Sequence, residues 1–95
     1  MDFDTGKVVQ TPGIQERVHA AAVQVALTRH MNCDWGELHE EDARMNDDVL
    51  ESGELDKGHG RLFSTYRDAN GTKFCIITEG AGEYRVTTIL LTSEY

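Results

Sequence analysis

Residues 61–78 read RLFSTYRDANGTKFCIIT, and the pattern of this stretch is the main basis for predicting the fold class. Polar and apolar side chains alternate from 61 to 67, and β-branched and aromatic residues are frequent from 72 to 78. The four residues between them, Asp68-Ala69-Asn70-Gly71, are typical of a hairpin turn. The stretch therefore predicts two antiparallel strands.

The predicted sheet continues on both sides of this hairpin. A glycine-rich turn at 80–82 leads into a β-branched run over 84–91, so an antiparallel sheet is predicted over 61–92. Phe74, Ile76 and Val86 recur at alternate positions, which predicts one apolar face that helices can cover. The short β-branched segment 6–10 is expected as an edge strand.

The first predicted helix covers 12–30. Thr11-Pro12 supplies an N-cap oxygen and a preset φ angle, the usual opening of a helix. Apolar residues then recur every three or four positions from Ile14 to Ala26.

The second predicted helix covers 37–51 and ends at a Ser52-Gly53 C-cap. Its apolar face is expected to carry Leu38, Met45 and Val49, with the polar Asp42 and Asn46 also directed toward the sheet. The predicted fold class is therefore α+β, a single domain over 1–95 with two helices packed on one face of a three- or four-stranded antiparallel meander.

Composition excludes several classes of function. The 95 residues include 17 acidic and 9 basic side chains, for a net charge of −8, which disfavours direct binding to nucleic acid or to an anionic membrane. A chain this short has one core and little room for an enclosed cofactor. No apolar run approaches the roughly 20 residues of a membrane span. The acidic opening at 1–4 and two cysteines, Cys33 and Cys75, favour a cytoplasmic protein with reduced thiols.

Almost all of the negative charge lies in one segment. Residues 34–56 contain ten acids and one base, a net of nine negative charges, whereas the remaining seven acids and eight bases nearly cancel. Three of these acids, Asp47, Asp48 and Glu51, fall near the helix C-terminus, where the helix dipole disfavours them. Because these acids oppose the stability of their own helix, their presence favours a role in solubility or in binding a partner. The predicted partner-binding residues are Asp34, Trp35, Glu37, Glu40, Glu41, Asp47, Asp48 and Glu51.

The order of short motifs along the chain resembles a family of small bacterial plasmid-related proteins. The motifs are His30, Asp34-Trp35-Gly36, Glu40-Glu41-Asp42, Asn46-Asp47, Gly60-Arg61-Leu62, Ser64, Tyr66, Gly71-Thr72-Lys73, Ile76-Ile77-Thr78-Glu79, Val86-Thr87-Thr88 and Glu94-Tyr95, together with the opening Val8-Val9-Gln10-Thr11-Pro12-Gly13. The chain departs from that pattern at Cys33, where a glycine is usual, at Cys75, where an aromatic is common, and in the extra segment 55–59. The resemblance implies a setting on mobile genetic elements and no particular reaction.

These observations favour a non-catalytic module that presents carboxylates to a basic surface of a host or defence protein. In the setting that the resemblance implies, the hypothesis becomes an inhibitor of a nucleic-acid-handling defence complex, of the anti-CRISPR or anti-restriction type, that mimics nucleic acid. Catalysis by paired carboxylates is disfavoured because neighbouring helix positions diverge by about 100°. No cofactor is expected.

Several alternatives remain open. His30, Cys33, Asp34 and His39 are ligand types within one short segment and could form a metal-binding or metal-dependent hydrolase-like site, although His30 is more simply a cation at a helix C-terminus. An exposed sheet edge could instead form a structural homodimer. Trp35 is either an interface anchor or, more commonly for a lone tryptophan, part of the core. Cys75 is expected to be a buried, inert thiol, and the bases Arg61, Arg67, Lys73 and Arg85 are expected to share the sheet surface.

Overall fold

The computed structural model describes residues 3–95, so Met1 and Asp2 of the predicted domain lie outside it. The fold is α+β, as predicted. In chain order, the elements of the described part are β1 (Lys7–Gln10), α1 (Pro12–Arg17), α2 (Ala20–Met31), α3 (Glu40–Ser52), β2 (Arg61–Arg67), β3 (Lys73–Glu79), a 3-10 turn (Gly82–Tyr84), β4 (Val86–Leu91) and a second 3-10 turn (Thr92–Glu94).

The sheet is mixed rather than purely antiparallel. The meander of β2, β3 and β4 is confirmed, with both strand pairs antiparallel. β1 adds to the free side of β4 in the parallel direction, so the strand order is β1-β4-β3-β2. Sequence patterns missed this direction because a turn dictates the direction of a hairpin partner, whereas β1 and β4 are joined by the rest of the fold.

One face of the sheet carries the main core. Phe74 pairs with Leu91 and Ile76 with Ile89, and all four side chains are buried against residues of α1 and α2. Val86, predicted on this face, pairs with Glu79 and belongs to the opposite one. In β4 the inward-facing residues are Thr87, Ile89 and Leu91, which is the reverse of the predicted alternation.

The predicted helix over 12–30 is broken into α1 and α2. Thr11 caps α1 by accepting a hydrogen bond from the Ile14 amide at 3.3 Å, as expected. The break comes at Val18, which is extended (φ −116°, ψ 127°), and the next residue, His19, caps α2 by accepting from the Ala21 amide through Nδ1 at 3.2 Å. Ile14 and Val18 are both buried. Apolar residues spaced three and four positions apart are therefore compatible with two helices separated by a bend as well as with one long helix.

The predicted second helix begins three residues late, at Glu40, because the preceding segment runs beside β2. Thr65 donates its amide to the Trp35 carbonyl at 3.2 Å, and Glu37 donates its amide to the Thr65 carbonyl at 2.8 Å. The predicted C-cap is confirmed, since Gly53 adopts a left-handed φ of 78°.

This helix, α3, hydrogen-bonds the outer edge of β2 and also packs Val49 and Leu50 in the cluster around Leu62, whose side chain lies on the helix-covered face of the sheet. The Asn46 side chain donates to the Phe63 carbonyl at 2.8 Å and accepts from the Phe63 amide at 3.1 Å. Asn46 thus points toward the sheet as expected, whereas Asp42 is exposed. The side-chain amide completes the hydrogen bonding of the edge strand where a further strand would otherwise pair.

Gly36 provides a test of this arrangement. A Cβ at Gly36 would lie 1.9 Å from the Thr65 carbonyl oxygen, and its φ is 73°. Gly53 has a similar φ of 78° but open space around it. We expect Gly36→Ala to lower the free energy of unfolding by about 3 kcal/mol or more, because the 35–37 segment must leave the β2 edge. Gly53→Ala should cost only about 1 kcal/mol of backbone strain. Equal losses in urea denaturation would contradict the close pairing of Gly36 with β2.

Candidate functional site

The outward face of α3 carries acids toward both ends of the helix, with Arg44 between them. Helical geometry places Glu40, Glu41, Asp48 and Glu51 within about 100° of one another, and all four are exposed. Arg44 pairs with Glu40 at 3.4 Å. The other three carboxylates form no ion pair within residues 3–95. Four of the predicted partner-binding residues therefore share one side of α3, here called the acidic face.

Two further predicted residues, Trp35 and Asp47, bind each other at the inner side of α3. Trp35 is only 6% exposed and packs with Leu55 and Leu62 in a second, smaller core. Its indole N–H donates to Asp47 at 3.2 Å. The core alternative for Trp35 is confirmed, and Asp47 supports that core as a hydrogen-bond acceptor.

The remaining two, Asp34 and Glu37, are paired with arginines. Arg29 holds Asp34 through two hydrogen bonds, of 2.7 and 3.2 Å, and these lower the pKa of the Asp34 carboxyl below its ordinary value. Arg67 of β2 binds Glu37 at 2.9 Å. These carboxylates are exposed at the surface but their charge is largely balanced locally.

An apolar groove runs between α3 and β2. It encloses about 470 Å³ and is lined by Leu38, Asp42, Met45, Asn46, Val49, Gly60, Arg61, Phe63 and Tyr95. The centroids of the Phe63 and Tyr95 rings lie 5.4 Å apart at one wall of the groove. Met45 and Tyr95 remain 63% and 62% exposed. The predicted apolar face of Leu38, Met45 and Val49 was the available signal for this groove, but nothing in the sequence showed that Met45 would stay uncovered.

Sequence reasoning also missed a buried polar chain that joins α2 to the sheet. His30 is fully buried, with Nδ1 2.6 Å from the Ser64 hydroxyl and Nε2 2.9 Å from the Thr78 hydroxyl. Thr78 lies 2.7 Å from the hydroxyl of Thr87, which donates to the Thr5 carbonyl at 2.7 Å. No buried side-chain nitrogen or oxygen in the described residues lacks a partner.

The carbonyl at the end of this chain sets the direction of its hydrogen bonds. A carbonyl can only accept, so Thr87 donates to Thr5 and Thr78 must donate to Thr87. The Thr78 oxygen then accepts from Nε2–H of His30. Desolvation by burial lowers the pKa of His30 to about 4, so the ring is neutral near pH 7 and its Nδ1 accepts from Ser64. The expectation of a cation at the end of α2 is wrong.

The alternative metal ligands do not converge. Both ring nitrogens of His30 are engaged inside the core, whereas His39 is exposed and precedes α3. Within the described part of the chain no group of three or more His, Cys, Asp or Glu side chains is placed to hold a metal ion. Cys33 has a left-handed φ of 63°, a conformation that glycine adopts more easily.

Cys75 is buried in the middle of β3, as predicted. Burial raises the pKa of its thiol to about 11, so the reactive thiolate is disfavoured.

Arg85 is buried rather than displayed on the sheet surface with Arg61, Arg67 and Lys73. It is 8% exposed and donates to the carbonyls of Gly80, Asp4 and Leu55. Its guanidinium also binds Asp56 at 2.9 Å. The expectation failed because a strand-end arginine can turn inward when several loop carbonyls surround it. Through Leu55 and Asp56, Arg85 also makes the extra segment 55–59 part of the fold.

Within residues 3–95, one sheet edge remains available for the homodimer alternative. The outer edge of β2 is occupied by Asn46 and by the 35–37 segment. β1, with Val8 exposed, is the remaining edge strand.

The chain matches no family model, no curated protein and no solved structure. The resemblance to plasmid-related proteins therefore stays a prediction. None of the helices in residues 3–95 combines the length and the apolar character needed to cross a membrane.

His30 makes the stability of the protein depend on pH. Its pKa is about 4 in the folded state against an ordinary value of 6.5, so between these values the unfolded chain binds more protons. Stability from this group is complete above pH 6.5 and falls, by about 3 kcal/mol, as the pH drops toward 4. His30→Gln should lack this term, although it is less stable at neutral pH.

The measurement is urea denaturation of both proteins across this pH range. The difference in unfolding free energy between wild type and His30→Gln should shrink on acidification, while contributions from carboxylates cancel in the difference. A constant difference would contradict a neutral, buried His30.

Proposed function

We propose that this protein is a non-catalytic binding module whose acidic face docks on a basic, nucleic-acid-binding surface of another protein. The observation that carries the proposal is the shared outward direction of Glu40, Glu41, Asp48 and Glu51, of which only Glu40 has an ion-pair partner in the described structure. Uncompensated charge of one sign attracts a surface of the opposite sign and speeds the encounter.

The charge density of α3 supports mimicry of one nucleic-acid strand. The acidic face carries four acids with Arg44 on the same side of the helix, a net of three negative charges. These residues extend over about 16 Å of helix axis. One strand of B-form DNA carries about five charges over that length, and a duplex about ten. The helix alone therefore matches a single strand better than a duplex.

The local cost of these charges also supports a binding role. The last turn of α3 contains no basic residue, so Asp48 and Glu51 face the negative end of the helix dipole without compensation. Elsewhere the protein balances such charges, since Arg29 and Arg67 bind Asp34 and Glu37. Charges that oppose the stability of their own helix are consistent with a surface retained for a partner.

The finer proposal follows from the resemblance to plasmid-related proteins. In that setting the partner is a nucleic-acid-handling defence complex of the host cytoplasm, and the protein is an inhibitor of the anti-CRISPR or anti-restriction type. The acidic face would occupy the channel that guide or target strand normally fills.

Two variants with the same change in net charge test the proposal. Glu41→Gln/Asp48→Asn/Glu51→Gln removes three charges from the acidic face, and Glu16→Gln/Glu79→Gln/Glu83→Gln removes three exposed charges from other elements. Each protein is immobilised, exposed to a bacterial lysate at rising salt and then washed with a single-stranded oligonucleotide. We expect a captured protein to be held by wild type and by the control, and to bind the acidic-face variant about tenfold more weakly.

The oligonucleotide should displace the captured protein, because both ligands compete for the same basic surface. Equal retention by the two variants would refute binding through the acidic face. Capture that resists the oligonucleotide would refute nucleic-acid mimicry while leaving a protein-binding role.

A further inference from the structure

The groove between α3 and β2 is lined mainly by apolar side chains, and two of its polar residues, Asn46 and Arg61, already bind groups of the protein. Leu38, Met45 and Val49 form one wall, and Phe63 and Tyr95 form the other. The Asn46 amide in the floor is used by the Phe63 backbone on both its donor and its acceptor side. Arg61 donates to the Tyr95 hydroxyl and lies over its ring, with 5.5 Å between the guanidinium carbon and the ring centroid. Apart from the Asp42 carboxylate, the groove therefore offers an occupant mainly apolar contact surface.

Carboxylates of α3 lie along one side of the opening of this groove. Met45 is the most exposed apolar residue of the groove, and its helix neighbours at positions i−4, i−3 and i+3 are Glu41, Asp42 and Asp48. Neighbours at these spacings lie about 5–6 Å apart on a helix surface. None of the three forms an ion pair within residues 3–95. An apolar cleft thus opens directly beside unbalanced negative charge.

We propose that the groove takes one bulky apolar side chain from a protein segment in which lysines or arginines flank that side chain. The apolar residue would bury itself against Met45, Val49 and Phe63, and the flanking cations would meet Glu41, Asp42 and Asp48. This inference rests on the proposed function, because it specifies the partner of the acidic face as a segment with an apolar anchor. A volume of about 470 Å³ falls within the range of about 300–1,000 Å³ typical of small binding pockets.

Charge complementarity selects this occupant over a second copy of the chain. Each copy carries a net charge of −8, and the groove lies beside the most acidic part of the surface. A copy seated there would bring like charges together. A basic segment with an apolar anchor uses both features. The anchor buries apolar surface in the groove, and the flanking cations are attracted to the carboxylates beside it. Methionine suits such a groove because its flexible side chain adapts to differently shaped anchors.

Two synthetic peptides test the inference. Both carry the same lysines, and they differ only in a central residue, tryptophan in one and alanine in the other. Titrations of the full chain followed by NMR give the affinities and the location of binding. We expect the tryptophan peptide to bind about tenfold more tightly, with shifts at Met45, Val49, Phe63 and Tyr95.

Two single substitutions provide a matched comparison. Met45→Ser removes the exposed wall of the groove, and Val25→Ser removes an apolar side chain of almost equal exposure, 61% against 63%, on α2. Because both side chains are exposed, both variants should fold. Met45→Ser should abolish most of the preference for tryptophan, whereas Val25→Ser should retain it.

The failures of the two proposals are distinguishable. Equal affinity for the two peptides, or no binding of either, overturns the anchor inference. If the two peptides bind wild type equally but both bind Glu41→Gln/Asp48→Asn/Glu51→Gln more weakly, only the anchor inference fails and the proposed function stands. If the two peptides bind equally and the triple variant binds them as tightly as wild type does, the result counts against both proposals. If N-acetyltryptophanamide binds as tightly as the lysine peptide, the groove is a small-molecule site and the inference is wrong. A Met45-dependent dimer in sedimentation would likewise overturn it.

Discussion

The pairing of the Asn46 side chain with the backbone of Phe63 determines how this protein presents its surface. An edge strand leaves a row of unpaired amides and carbonyls, which proteins usually protect from further pairing. Here a side-chain amide from α3 takes two of those groups, and the 35–37 segment takes the groups of Thr65. The helix is thereby held along the edge of the sheet. Its acidic residues then face outward, and its apolar side opens into the groove.

The body behind this edge is held by buried polar contacts as well as by apolar packing. The chain from Ser64 through His30 to Thr78 and Thr87 connects α2 with three strands, and it ends on the carbonyl of Thr5. Phe3 packs edge-on against the His30 ring, with 5.3 Å between the ring centroids, so the N-terminal segment contacts this polar chain. Fully paired polar groups in a core fix a unique arrangement of elements, because any shift would leave one of them unsatisfied.

Local features of the fold were predictable, and long-range ones were not. The β2–β3 hairpin followed from alternation around Asn70-Gly71, and the end of α3 followed from Gly53, since each depends on residues close in sequence. The parallel direction of β1 depends on β4, at the other end of the chain.

The same distinction applies to the candidate site. The charge count located the acidic segment, and helical spacing alone brings Glu41 and Asp48 to one side. It could not predict that Asp34 and Glu37 would be balanced by Arg29 and Arg67, or that Trp35 would turn inward to Asp47. Those pairings, and the groove beside Tyr95, arise only when distant segments meet.

Native-state hydrogen exchange tests most directly whether α3 closes the edge of β2. The amides of Phe63 and Thr65 should be protected like interior sheet amides, whereas those of Val8 and Gln10, which alternate with the amides bonded to β4, should exchange quickly. In Asn46→Ala, protection should fall at Phe63 and persist at Ile77 in β3. Fast exchange of Phe63 and Thr65 in the wild-type protein, at the rate of Val8, would show that α3 and the 35–37 segment do not close this edge.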